Sequence, residues 1–198
     1  MKTSQLLKST VFTMALFASI SGFAQNKMMK KDKMMKEKTV MVGGAEMYPS
    51  KNIIENAVNS EDHTTLVAAV KAAELVETLS GEGPFTVFAP TNAAFEKLPE
   101  GTVETLLKPE NKKMLQGVLT YHVVAGKWNA KAVLGMIKEG HGKAEIKTVS
   151  GGTLTAWTKD KAVYITDENG NSAMVTIANV NQSNGVIHVI DTVLLPKS

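Results

Sequence analysis

The sequence contains no cysteine and no arginine. Without cysteine there is no disulfide to staple the fold, no thiolate nucleophile and no thiolate metal ligand. A chain of 198 residues with 43% hydrophobic content must then rest on its packed interior, and that is enough for one domain. Without arginine all 22 basic residues are lysine. The planar fork that reads phosphates and guanine edges bidentately is missing, which argues against sequence-specific nucleic-acid binding. No apolar run approaches the ~20 residues that a bilayer helix needs, so no transmembrane segment is expected. A large excess of one charge is lacking too: the formal net charge is +3, and two of the lysines, Lys2 and Lys8, fall in a leader. No Gly-x-Ser-x-Gly elbow exists to expose a nucleophile. The four histidines, His63, His122, His141 and His188, show no metal-ligand spacing. His188 and Asp191 lie three apart on an expected strand and so face opposite sides, which removes the start of a triad. The sequence therefore leads us to expect no catalytic residues, no metal and no cofactor.

What is present begins with an export leader. Lys2 and Lys8 give a positive start, Val11 to Ile20 is largely apolar, and Ser21-Gly22-Phe23-Ala24 places small residues at −3 and −1 of a cut after Ala24. This is the pattern of a cleaved secretory signal over residues 1–24. Gln25 follows the cut, so lipid attachment to cysteine is not expected there. The mature chain is expected to be secreted or periplasmic.

Residues 25–49 read as a tether and lead-in. Asn26 to Lys38, NKMMKKDKMMKEK, alternates methionine pairs with lysines and lacks the apolar area to fold alone. Its charge suits a weak, salt-sensitive contact with an anionic surface. From Ser50 to Pro196 the pattern is that of one α+β domain. Its first half is helix-rich. A short helix is expected over Asn52–Val58, and a long one over Thr64–Leu79 with Leu66, Val70, Ala73 and Val76 at helical spacing. A strand follows at Phe85–Ala89, then a helix capped by Thr91. After Pro109 comes a helix whose Met114, Leu115, Val118 and Leu119 are expected to face inward. Tyr121–Val124 leads into a strand, and Asn129–Ile137 is again helical. The second half alternates strands with turns at Ser150-Gly151-Gly152, Asp167-Glu168-Asn169-Gly170 and Asn184-Gly185.

Three stretches stand out in this order: FTVFAPTNAAF (85–95), LTYHVV (119–124) and NGVIHVID (184–191) running on to Leu194-Leu195-Pro196. Together they closely resemble the fasciclin domain over roughly Ser50 to Pro196. The resemblance implies a wedge of antiparallel strands with a helix-rich N-terminal half, used as an extracellular or surface-associated binding module. It supplies no catalytic residue. In some animal members the surface near a Tyr-His motif, together with an Asp-Ile pair before the last strand, engages integrins. Here the resemblance places those roles on Tyr121 and His122 and on Asn179 and Val180. Asparagine replaces the acidic residue, so the carboxylate that would complete an integrin-type divalent site is missing.

The function expected from sequence is a secreted binding or adhesion module, not an enzyme, recognising a protein or glycan at a cell surface or matrix. The alternative is a periplasmic protein binding a small ligand or metal in a cleft near Tyr121 and His122. Those two side chains also fit packing roles, the histidine bonded to backbone and the tyrosine hydroxyl to a polar partner. Trp157, on an expected strand, packs or, if exposed, offers a ring for a sugar or protein contact.

Overall fold

The computed structural model describes residues 37–197. The leader at 1–24, its cleavage after Ala24 and most of the methionine–lysine tether lie outside the described residues. Ordered packing starts ahead of Ser50. Strands β1 (Val40–Val42) and β2 (Ala45–Met47) form a hairpin about Gly43 and Gly44, both at positive φ, and it buries Val42 and Met47.

Helix α1 (Ile53–Ala57) opens on a reciprocal cap. The Asn52 carboxamide accepts from the Glu55 N–H at 2.9 Å, and the Glu55 carboxylate accepts from the Asn52 N–H at 2.8 Å. The long helix expected over Thr64–Leu79 is two: α2 (Thr64–Ala72) and α3 (Val76–Ser80). Between them Glu74 takes φ 58°. The Leu75 N–H reaches the Val70 carbonyl and the Glu74 N–H the Lys71 carbonyl, both at 3.0 Å. This is a Schellman ending with glutamate at the left-handed position where glycine is usual.

Strand β3 (Phe85–Pro90) gives way to α4 (Asn92–Glu96), capped by the Thr91 hydroxyl. Then come α5 (Thr102–Leu106) and α6 (Lys112–Tyr121). Helix α6 buries Leu115, Val118 and Leu119 as expected, whereas Met114 is 60% exposed, one residue outside the apolar stripe. Next are β4 (Val123–Ala125), α7 (Ala130–Glu139) with its Asn129 cap, β5 (Lys143–Lys147), β6 (Thr153–Lys159), β7 (Ala162–Thr166), β8 (Ser172–Gln182) and β9 (Gly185–Ile190).

The seven strands from β3 to β9 form one sheet in the order β4-β3-β9-β8-β7-β6-β5. Its pairings are antiparallel except β3 with β9, which run parallel from Phe85 opposite Gly185 to Pro90 opposite Ile190. Both are deeply buried, as strands covered on two faces must be. Their alternation separates two apolar clusters. Val87, Ala89, Ile187 and Val189 join the helices α1 to α6, while Phe88 and Ile190 join α7 and the inner face of β5 to β8. Gly185 permits the close approach, since a Cβ there would meet the Phe85 carbonyl oxygen. The far strands β5 to β7 are covered on one face only, and β5 shows it plainly: Ala144 and Ile146 are buried, Lys143, Glu145 and Lys147 exposed.

The corner before β9 is tied by one buried side chain. Asn184 accepts from the Ile53 N–H at 3.0 Å and donates to the carbonyls of Leu79 and Gly81, both at 2.8 Å. One amide thus joins the start of α1, the end of α3 and the β8–β9 turn. Asn184→Ala is expected to lower unfolding free energy by about 3 kcal/mol, since three buried backbone groups lose their partner. Denaturant unfolding of the variant checks this, and a loss below about 1 kcal/mol would show that water replaces the amide.

Candidate functional site

Tyr121 closes α6 and His122 caps it, so both project into the interior where the helix hands over to β4. Tyr121 is 0% exposed. Its hydroxyl donates to the Thr153 carbonyl at 3.0 Å and accepts from the Glu168 N–H at 3.1 Å, binding the start of β6 to the β7–β8 turn. Burial raises its pKa. Gly152 lies against the ring, where a Cβ would come within 2.5 Å of Cε2. His122 is 3% exposed. Its Nδ1–H donates to the Val118 carbonyl at 2.8 Å, and its Nε2 accepts from the Leu194 N–H at 3.0 Å. Both ring nitrogens are thereby occupied and the neutral tautomer is fixed.

Asn179 and Val180 lie at an irregularity of β8, where the register with β9 shifts between Ile177 and Val180. Asn179 is exposed with φ 62°, a conformation asparagine tolerates. Its carboxamide oxygen accepts from the Ala130 N–H at 2.7 Å, at the start of α7, and its own N–H points to His188 Nδ1 at 3.4 Å. His188 Nε2–H donates to the Trp128 carbonyl at 2.8 Å, and the ring stacks on Phe88 with centroids 5.8 Å apart. Val180 is buried. Among the described residues no hydrogen bond joins the Tyr121–His122 pair to Asn179 or Val180. His122 and Val180 do share an apolar cavity between the helices and the sheet. Of the four residues the sequence singles out, Asn179 alone presents itself to solvent.

His188 and Asp191 serve separate networks. Asp191 accepts from the Met174 N–H at 2.8 Å and from Thr192, and pairs with Lys97 at 3.4 Å. Burial alone would raise its pKa, but the Met174 N–H, the Thr192 hydroxyl and Lys97 outweigh that and hold it below the usual carboxylate range. Among the described residues no group of three or more acidic or histidine side chains gathers in a way that could hold a metal ion.

Two features are not singled out by motif. On the solvent face of the sheet, Lys143, Trp157, Tyr164 and Met174 stand directly opposite one another across β5 to β8. The Trp157 and Tyr164 rings stack at 4.8 Å and 22°, and Trp157 Nε1–H donates to the Thr166 hydroxyl at 2.8 Å. The alternation of β6 and β7 places these rings outward once the strands are paired; the sequence alone leaves the partner unspecified. The second feature is His63, buried beside Ser60 at the end of a 3-10 turn, Glu61–His63.

The buried histidines make the fold sensitive to acid. Burial lowers the pKa of His122 from 6.5 to about 4, against the opposing pull of the Val118 carbonyl and Asp167. Protonation would set an N–H of the ring against the Leu194 N–H. The unfolded chain binds this proton near pH 6.5 and the folded chain only near 4, so the stabilisation is complete above 6.5 and lost as pH falls to about 4. The loss amounts to about 3 kcal/mol for this one group. Burial lowers His63 and His188 in the same direction. Urea unfolding at pH 7 and pH 4 is expected to show a smaller drop for His122→Gln than for the parent chain. Equal drops would remove His122 as the titrating group.

Comparison with known proteins agrees with this geometry. The fasciclin domain family matches residues 61–196. Protein sll1483 of Synechocystis sp. is 51% identical over 160 residues, covering 81% of this chain and 82% of its own length. The cell surface glycolipoprotein MPB83 of Mycobacterium bovis is 34% identical over 145 residues, 71% of this chain and 58% of that protein. Among solved structures, a FAS1 domain pair from the insect cell adhesion molecule fasciclin I superposes with a TM-score of 0.67 at 16% identity, over 81% of this chain; the chain spans 58% of that pair. Among the described residues no helix is long and apolar enough to cross a membrane. The ordered motifs, the α+β sheet they build and the match across 61–196 lead to one assignment: this chain belongs to the fasciclin domain family.

Proposed function

We propose that this chain is an exported, non-enzymatic adhesion module that recognises a protein or glycan at a cell surface or matrix. The observation that carries the reading is the row Lys143–Trp157–Tyr164–Met174 on the uncovered face of the sheet. A stacked aromatic pair held by a hydrogen bond is already ordered before contact, so a partner gains aromatic area at little entropic cost. Lysine at one end and methionine at the other add a charged and an adaptable contact. Membership of a family whose solved relative is a cell adhesion molecule, and likeness to a cell surface glycolipoprotein, support the same reading.

In this proposal Tyr121 and His122 act from within. Tyr121 holds Thr153 and Glu168 and so fixes the start of β6 and the end of β7, two strands of the aromatic row, while His122 holds Leu194 in the C-terminal segment past β9. Asn179 is the member of the motif positions that a partner can touch. Export rests on the leader at 1–24 with cleavage after Ala24, and the lysine-rich tether adds reach and weak attraction to anionic surfaces.

Labelled protein spanning 25–198 is expected to bind cell envelopes or one member of a matrix-protein and glycan panel saturably, at low and at high salt. Trp157→Ala with Tyr164→Ala is expected to weaken that binding at least about tenfold, as loss of an aromatic anchor does. Absence of saturable binding to any surface would overturn the adhesion reading. Full binding by the double variant would remove the sheet face as the contact.

A further inference from the structure

Strand β9 ends at Ile190, and the chain leaves the sheet there. Among the described residues no backbone–backbone hydrogen bond involves 192–197. Side chains hold this segment instead. The Leu194 N–H donates to His122 Nε2 and the Leu195 N–H to the Asp167 carboxylate, both at 3.0 Å. The Asn169 carboxamide donates to the carbonyls of Leu195 at 2.8 Å and Pro196 at 3.3 Å. Lys97 steadies the start, donating to the Asp191 carbonyl at 2.6 Å and reaching the Thr192 hydroxyl at 3.5 Å.

The segment closes the gap between the two apolar interiors. Val193 is buried with the helical cluster, and Leu194 with the cluster of Phe88, Tyr121 and Ile190. Leu195 packs half-buried against the first. These contacts draw the segment in, but its N–H groups decide whether it stays, since a buried N–H that loses its acceptor bears the full cost of desolvation. The β3/β9 pair does not lean on it: their ladder is complete from Phe85–Gly185 to Pro90–Ile190 before the segment begins. A stretch that few backbone bonds tie to the rest of a fold opens separately from it.

We propose that residues 193–196 form a latch that detaches by itself, with β3 and β9 still paired, when the His122 ring takes up a proton. The neutral ring donates through Nδ1 to the Val118 carbonyl and accepts through Nε2 from Leu194. A proton on Nε2 sets two donors face to face, and the bond is lost. The ring is 3% exposed, and release of the segment brings water to its charge. The charged and titratable groups around it are Asp167 and Glu168 in the β7–β8 turn, Tyr121 beside it on α6, and His63 and Lys71 across the cavity they line together. Of these, Asp167 alone draws the ring toward its charged form, and the loss of hydration outweighs it. At the head of the segment Asp191, held below the usual carboxylate range, stays ionised against Lys97. Closed, the ring titrates near 4; opened to water it returns to 6.5, so the latch is fully held above 6.5 and loosens as pH falls to about 4. Acid therefore opens one segment before it unfolds the domain. The latch does not depend on the adhesion reading.

Amide hydrogen exchange on the intact mature chain, read residue by residue by NMR, tests this. Between pH 7 and pH 4 the protection of the Leu194 and Leu195 amides, corrected for the intrinsic effect of pH on exchange, is expected to fall about a hundredfold, the ratio set by 6.5 and about 4. At pH 5 that protection is expected to stay flat in low urea, whereas the amides of β3 and β9 lose theirs along the steep slope of global unfolding. His122→Gln removes the titrating ring, and the pH response of Leu194 is expected to vanish whatever its protection at pH 7. His188→Gln, in a separate network, is expected to leave the response intact. The two measurements on the parent chain decide the matter even where a variant fails to fold. A urea slope shared by Leu194, Leu195 and the β3 and β9 amides would overturn the proposal. So would constant protection from pH 7 to pH 4, or an undiminished fall in His122→Gln.

Discussion

The parallel pairing of β3 with β9 is the constraint on which the rest depends. Six residues of each strand run side by side, drawn from positions about a hundred apart in sequence. Because successive side chains point to opposite faces, the pair serves two interiors at once. Val87, Ala89, Ile187 and Val189 complete the helical cluster, and Phe88, His188 and Ile190 face the other way. A one-residue slip of either strand would exchange these sets and place His188 among the helices. The helix-rich half and the strand-rich half are thus two coats on one central ribbon.

In a chain without cysteine, single polar side chains do the long-range tying. Asn184 binds three segments. Tyr121 links β6 to the β7–β8 turn, and His122 holds the C-terminal segment through Leu194. The Asp167 carboxylate receives the N–H groups of Asn169, Asn171 and Leu195. Each is buried and close to fully satisfied, which is the condition under which buried polar groups strengthen specificity rather than weaken the fold. The Tyr-His motif that marks the family therefore reads here as framework.

Much of the fold was legible in the sequence because its periodicities are local. The helices after Thr91 and Asn129, the strands of the second half and the turn before Gly170 all follow from caps, alternation and glycine placement. The break at Glu74 was not, since it ends a helix without glycine or proline, and only the backbone bonds to Val70 and Lys71 reveal it. Met114 was expected inside because it adjoins the stripe of Leu115 and Val118, yet helical geometry turns it outward. The parallel sense of β3 and β9 is a long-range choice that alternation does not encode. For the same reason Trp157 could be placed on a strand, but not beside Tyr164.

The two margins of the sheet shape how such a module meets its neighbours. On one side β5 ends the sheet with Lys143, Glu145 and Lys147 turned outward; on the other, β4 is three residues long and the Val123 carbonyl is already taken by the Val149 N–H. Charged and abbreviated borders of this kind discourage another backbone from zipping on as an extra strand. Association is left to broad faces, where contacts form and release without remodelling the chain. Under the proposed adhesion role, copies crowded on a surface would share a load through many short-lived grips rather than through one continuous sheet.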